Sequence, residues 1–138
     1  MRDVREEAGG PVTPQRFFIG CRLPGLNEIL AAARSRNRRG SWSRYDEIKT
    51  MYESMIKADI KRAKLKPCAG TVRIALHWVE PNARRDFGNI RTGEKFISDA
   101  LVSLGILKTD ARSQVVGFVD TFAVDPDHPG VWVTLERP

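Results

Sequence analysis

The 138-residue sequence predicts a single α+β domain with a mixed sheet, in the order β-α-β-α-β-β. Three observations predict it. Residues 71–79 (TVRIALHWV) alternate, so that Val72, Ile74, Leu76 and Trp78 share one face of a strand. Tyr45, Ile48, Tyr52, Met55, Ile56, Asp59 and Ala63 fall three and four apart, which is helical spacing. Two further strand-like runs, 114–124 and 131–135, flank Asp125-Pro126-Asp127-His128-Pro129-Gly130, a segment with turn chemistry.

The elements follow in order. Residues 1–14 are polar, hold Gly9 and Gly10 and read as a flexible tail, which leaves 15–138 as the domain. Residues 16–22 (RFFIGCR) are a short apolar run suited to a first strand, stopped by Pro24-Gly25. Residues 31–44 carry Arg34, Arg36, Arg38, Arg39 and Arg44 with no acid, are interrupted by Gly40 and Ser41, and read as an arginine-rich loop. The first helix runs from Ser43 to about Leu65, ahead of Pro67, with Lys57, Lys61, Arg62 and Lys64 placed favourably near its C-terminus. After the strand at 71–79, Pro81 and Asn82 mark a stop. A second helix begins near Asn89, its candidate N-cap, with a buried stripe of Gly93, Phe96, Ile97, Ala100, Leu101 and Leu104 and Gly105 as its terminator. The two helices pack on the sheet. No internal repeat or low-complexity tract is present.

A formal charge of +6 on so short a chain points to an anionic partner, of which nucleic acid is the commonest, or simply to a basic soluble protein. Cys21 and Cys68 lack CxxC spacing and nearby histidines, which excludes a zinc cluster or a disulfide framework; they read as small apolar residues. No apolar run approaches the roughly 18 residues of a membrane span, and the charged start MRDVREEAGG has no signal-peptide core. The expected location is cytoplasmic.

The chemistry concentrates in residues 80–110, EPNARRDFGNIRTGEKFISDALVSLGILKTD. Arg84, Arg85 and Asp86 stand where a strand hands over to a helix, a place where side chains and free amides converge. Asp110 follows the helix, at the entry to the next strand. If the two strands lie in one sheet, the aspartates can approach each other. Asp86 reads either as a metal ligand or as the cap of the following helix, and Asp110 alone reads as a turn aspartate. Lys95 and Asp99, four apart, read as a surface ion pair. His77 reads as a packed or surface strand histidine, and His128 as a turn residue without a partner.

Arg85-Asp86-x-x-Asn89-Ile90, then Lys95-Phe96-Ile97-x-Asp99-Ala100-Leu101, then Gly105-Ile106 and Asp110, resembles the RusA family of Holliday junction resolvases, in particular its phage and prophage branch. Leu23-Pro24-Gly25-Leu26-Asn27-Glu28 matches that branch as well, as do Val116-Gly117-Phe118, Asp120 and Val124-Asp125. The resemblance runs from about residue 23 to 135. It implies a RusA-like homodimer that resolves four-way DNA junctions by paired nicks in recombination and repair, with Mg²⁺ or Mn²⁺. It implies Asp86 and Asp110 as catalytic metal ligands and Lys95 as a catalytic lysine set against the scissile phosphate. Arg84, Arg85, Asn89 and the arginines 34, 36, 38 and 39 are then candidate contacts to the DNA backbone.

One departure stands out. The family motif at the strand-to-helix junction is Asp-x-Asp-Asn, and its second aspartate is here Gly88. In an extended segment, residues 86 and 88 point to one side, so the family motif offers two carboxylates to one ion. Three readings stay open: a weakened or inactive nuclease that still binds junctions, substitution by Glu80, Glu94 or Asp120, or phosphate oxygens from bound DNA. A general basic nucleic-acid-binding domain is a further alternative. Trp42 reads as a core or dimer-interface residue, or as a stacking partner for an exposed base. The face with Tyr45, Ile48, Tyr52 and Met55 is a candidate dimer surface as well as a core element.

Overall fold

The structure, a computed structural model, describes residues 14–34 and 44–138. The chain runs β1 (Gln15–Ile19), α1 (Leu26–Arg34), α2 (Arg44–Ala63), β2 (Val72–Glu80), α3 (Phe87–Arg91), α4 (Glu94–Ser103), β3 (Val115–Val124) and β4 (Gly130–Glu136). The class is α+β with a mixed four-stranded sheet, as the sequence predicts. The order of elements is not the predicted β-α-β-α-β-β, because the described residues hold four helices where two were expected.

Both extra helices have a local cause. Leu26–Arg34 is amphipathic, has Glu28 in its first turn and holds three consecutive alanines, so it is a helix as far as Arg34 rather than a loop. The second region splits because Thr92 and Gly93 interrupt it. Asp86, not Asn89, caps α3: its backbone is extended and its side chain accepts a hydrogen bond from the Asn89 N–H. Elsewhere the punctuation is as expected. Gly105 takes φ 73° just after α4, a conformation that favours glycine. The tail at 1–13 and residues 35–43, with Arg36, Arg38, Arg39 and Trp42, lie outside the described residues.

The strand order is β1-β4-β2-β3. β4 pairs antiparallel with β1 and β2, whereas β2 and β3 are parallel, joined by the α3–α4 crossover. One sheet face is buried under helices. Val72, Ile74, Leu76 and Trp78 of β2 and Val131, Val133 and Leu135 of β4 meet Ile56 and Ile60 of α2 and Phe96, Ile97, Ala100 and Leu101 of α4 in one cluster. Tyr45, Ile48 and Tyr52 pack against that cluster, while Met51 and Met55 stay exposed. Cys68 is buried and Cys21 half-buried, and burial pushes both thiols above their ordinary pKa. Among the described residues no helix is long and apolar enough to cross a membrane.

Candidate functional site

The parallel pairing sets the geometry of the predicted site. Glu80 at the end of β2 lies opposite Val124, and Val72 at its start lies opposite Val115. Asp86 therefore follows one end of the β2–β3 pair, and Asp110 precedes the other. The segment after α4 reaches back along the helix, and Asp110 meets Lys95 in the first turn of α4.

That contact is close. Lys95 Nζ lies 2.7 Å from Asp110 Oδ2 and 3.0 Å from Asp99 Oδ1. Asp99 also faces Lys49 of α2 at 3.6 Å. These groups, with Glu53, line one open depression. The hydrogen bonds to Asp110 and then Asp99 push the Lys95 ammonium well above the ordinary lysine pKa. The Lys95 hydrogen bond, in turn, holds the Asp110 carboxyl below its usual value. Both contacts favour the charged form of Lys95, a positive charge that can neutralise an anion. Asp99, read as a simple surface partner, is one of the two groups that hold it.

Asp86 is exposed and belongs to a different neighbourhood. Its Oδ1 accepts from Asn89 N–H at 2.7 Å. No contact joins it to Lys95 or Asp110, and no group of three or more His, Cys, Asp or Glu side chains able to hold a metal occurs among the described residues. Residue 88 lies in the first turn of α3 rather than in extended chain, so the strand-period argument for a carboxylate pair does not apply. A Cβ on Gly88 would stand 3.7 Å from Asp86 Oδ1 with no other contact within 4 Å, so a side chain can start there without a clash.

The arginines divide. Arg84 is exposed, and its backbone N–H closes a turn on Asn82 Oδ1 at 3.0 Å. Arg85 is turned inward. Its Nε and Nη2 each donate at 2.8 Å to Glu80, its Nη1 donates to the Leu23 carbonyl at 3.1 Å, and Glu28 lies 3.7 Å away. Its side chain is only 10% exposed, so its donors face protein rather than a DNA backbone. Glu80 takes a further bond from Arg22 Nε at 3.2 Å. Asn89 also faces inward: its Oδ1 accepts from Leu26 N–H at 2.5 Å, at the start of α1. Gly25 is needed at this crossing, because a Cβ there would come within 2.3 Å of Asn89 Oδ1 and 2.7 Å of Arg85 Nη1. Two of the stretches that carry the resemblance, 23–28 and 85–90, are therefore one packed unit. Arg34 ends α1 on the surface.

The three possible substitutes for the missing aspartate are engaged. Glu80 is buried between two arginines, Asp120 accepts from Trp78 Nε1 at 2.8 Å and Arg91 Nε at 2.7 Å, and Glu94 accepts from the Ser98 hydroxyl. Magnesium commonly uses one or two carboxylates, several waters and substrate phosphate oxygens. Asp86, exposed at the head of α3, offers one carboxylate, while Asp110 is held by Lys95 in a separate depression.

Sequence reasoning passed over Arg22, Gln114 and Phe87. Gln114 is buried and carries four bonds: Nε2 to the Cys68 and Gly70 carbonyls, and Oε1 from the Lys108 and Thr109 amides. It holds the segment that presents Asp110. Its signal was faint, a lone glutamine at the head of a strand. Comparison with protein-family models and with curated proteins finds no match to this chain.

Proposed function

We propose that the chain acts on branched DNA as a metal-dependent, structure-selective endonuclease of the RusA type, resolving four-way junctions by paired nicks as a homodimer. The observation that carries this reading is Asp86, exposed at the head of α3 beside the open place of Gly88 and on the same β2–β3 crossover as the Lys95–Asp110 pair. The ordered motifs and the Gly25–Asn89 contact between them support it, as does the charge of +6.

A bound divalent ion would polarise the scissile phosphate and lower the pKa of its water. Asp86 would supply a carboxylate oxygen to it. Lys95, positive throughout the neutral range, neutralises charge on the phosphate when DNA draws it from Asp110 and Asp99. Asp110, once released, would be free to serve as the second ligand if the segment that carries it also moved toward Asp86.

A second reading has its own observation. With Gly88 in place of a carboxylate and Lys95 closed onto Asp110, the site holds metal poorly, and the chain binds junctions with little or no cleavage. Both readings meet in one experiment: binding and cleavage of a labelled synthetic four-way junction and a linear duplex, in Mg²⁺ and in Mn²⁺, by the wild type, Gly88→Asp and Asp110→Asn. Paired nicks by the wild type, lost in Asp110→Asn, support the nuclease. Junction binding without nicks, with nicks gained in Gly88→Asp, supports the binder. Equal affinity for junction and duplex refutes both and leaves a general basic domain.

A further inference from the structure

Phe87 is 63% exposed, the largest value among the exposed large hydrophobic residues described. It is the first residue of α3 and stands next to Asp86. One face of its ring is stacked on Phe122 of β3, with centroids 4.0 Å apart and planes 11° from parallel. The rings border an open depression of about 330 Å³ that Ile90, Ala123 and Val124 also line. Val124 is itself 54% exposed. An apolar ring gains little by facing water, and Phe87 is not required as a cap, because Asp86 performs that role. Arg84, three residues before Phe87 in the chain, is exposed, and Arg91 lies one turn along α3, paired with Asp120. An aromatic platform beside basic side chains matches a base and its phosphates, since bases stack on aromatic rings and the backbone seeks positive charge.

We infer that the Phe87–Phe122 pair is a stacking platform for an unpaired nucleobase of branched or single-stranded DNA, seated beside Asp86. This rests on the proposed function and specifies how its site distinguishes branched from continuous DNA. In a duplex every base is already stacked between neighbours. At a junction or on a single strand a base is free to stack on Phe87, which extends the Phe87–Phe122 stack to three layers and brings the adjoining phosphate toward Asp86.

The test uses the full chain with three probes: a four-way junction, a single-stranded 12-mer and a linear duplex, each titrated by fluorescence anisotropy. Phe87→Ala and Phe87→Leu are compared with Phe87→Trp, with circular dichroism as the folding control and light scattering for self-association. The expected result is a loss of roughly 10- to 100-fold in affinity for the junction and the single strand in both Ala and Leu, with duplex affinity unchanged and Trp at the wild-type level. Leu is the decisive variant, because it keeps the apolar surface and removes the ring. Unchanged affinity of Phe87→Ala for both junction and single strand overturns the inference. So does a change in oligomeric state in Phe87→Ala, which would make the patch a contact between copies of the chain. If the wild type does not prefer the junction to the duplex, the proposed function fails instead, and the single-strand titration still decides whether Phe87 stacks.

Discussion

Asp86 has two separable properties, the shape of its side chain and its charge. The shape caps α3 through Oδ1, and the charge is what a metal would use. Asparagine keeps the first and lacks the second. Asp86→Asn is expected to stay within about 0.5 kcal/mol of wild-type stability, and Asp86→Ala to lose about 1 kcal/mol, the usual worth of an N-cap. Both should abolish any metal-dependent cleavage. Denaturant unfolding and the junction assay check the two limbs, and an equal loss of stability in Asn and Ala would mean that the charge of Asp86, not its shape, supports α3. The Lys95–Asp110 pair makes a prediction in pH. Asp110 is held below its usual pKa, so its contribution is present above the ordinary carboxylate value near 4 and is lost as pH falls through the lowered one. Lys95 is raised, so its contribution is complete below the ordinary lysine value and disappears only as pH rises beyond it. The pair is therefore constant through the neutral range. Lys95 is 61% exposed and Asp110 38%, so solvent screening keeps the effect to tenths of a kcal/mol. Asp110→Asn should flatten the acid limb of stability against pH, while leaving the neutral plateau almost unmoved.

Among the elements, the segment between α4 and β3 determines where Asp110 stands, and Gln114 determines the segment. Its amide faces four backbone groups and fills all of them. Gln114→Leu has nearly the same volume and none of the bonds. It should cost about 2–3 kcal/mol, because buried backbone groups lose their partners, and it should return the Asp110 carboxyl toward its ordinary pKa as Lys95 loses its fixed neighbour. Carboxyl NMR titration reads this, and an unmoved Asp110 would show that the segment holds itself. The same element explains what the sequence disclosed and what it withheld. β2 and β4 were legible because every second side chain enters the core, and the turn at 125–130 is written in Asp, Pro and Gly. α1 was not, because the arginine run beyond it drew the boundary too early. The α3–α4 break was hidden because Thr92 and Gly93 do not disturb the apolar spacing on either side. Lys95 and Asp110 are 15 residues apart, with no period to link them; the resemblance named both residues, and only the fold brought them into contact.

For the whole molecule, the question is which of the basic side chains remain available to a polyanion. Net charge alone counts Arg84 and Arg85 equally, but the fold does not. Arg85 is built into the junction of β2, the 22–28 segment and α3, with its guanidinium on the buried carboxylate of Glu80, whereas Arg84 projects outward. Removing Arg85 leaves Glu80 with Arg22 alone, and breaking a buried pair of this kind costs about 3–5 kcal/mol. Removing Arg84 should cost no measurable stability. DNA binding should divide the other way. Each phosphate neutralised releases counterions, so the slope of log affinity against log salt counts the contacts. Arg84→Ala should lower the magnitude of that slope by about 1 while leaving the unfolding midpoint in place. Arg85→Ala should shift the midpoint sharply downward and, measured at a temperature where the variant is still folded, leave the slope as it was. Anisotropy titrations on one junction at four salt concentrations, paired with denaturant unfolding, separate the two roles. A reduced slope in Arg85→Ala with full stability would mean that the guanidinium leaves Glu80 to meet DNA, and that the packed unit of residues 23–28 and 85–90 opens when it binds.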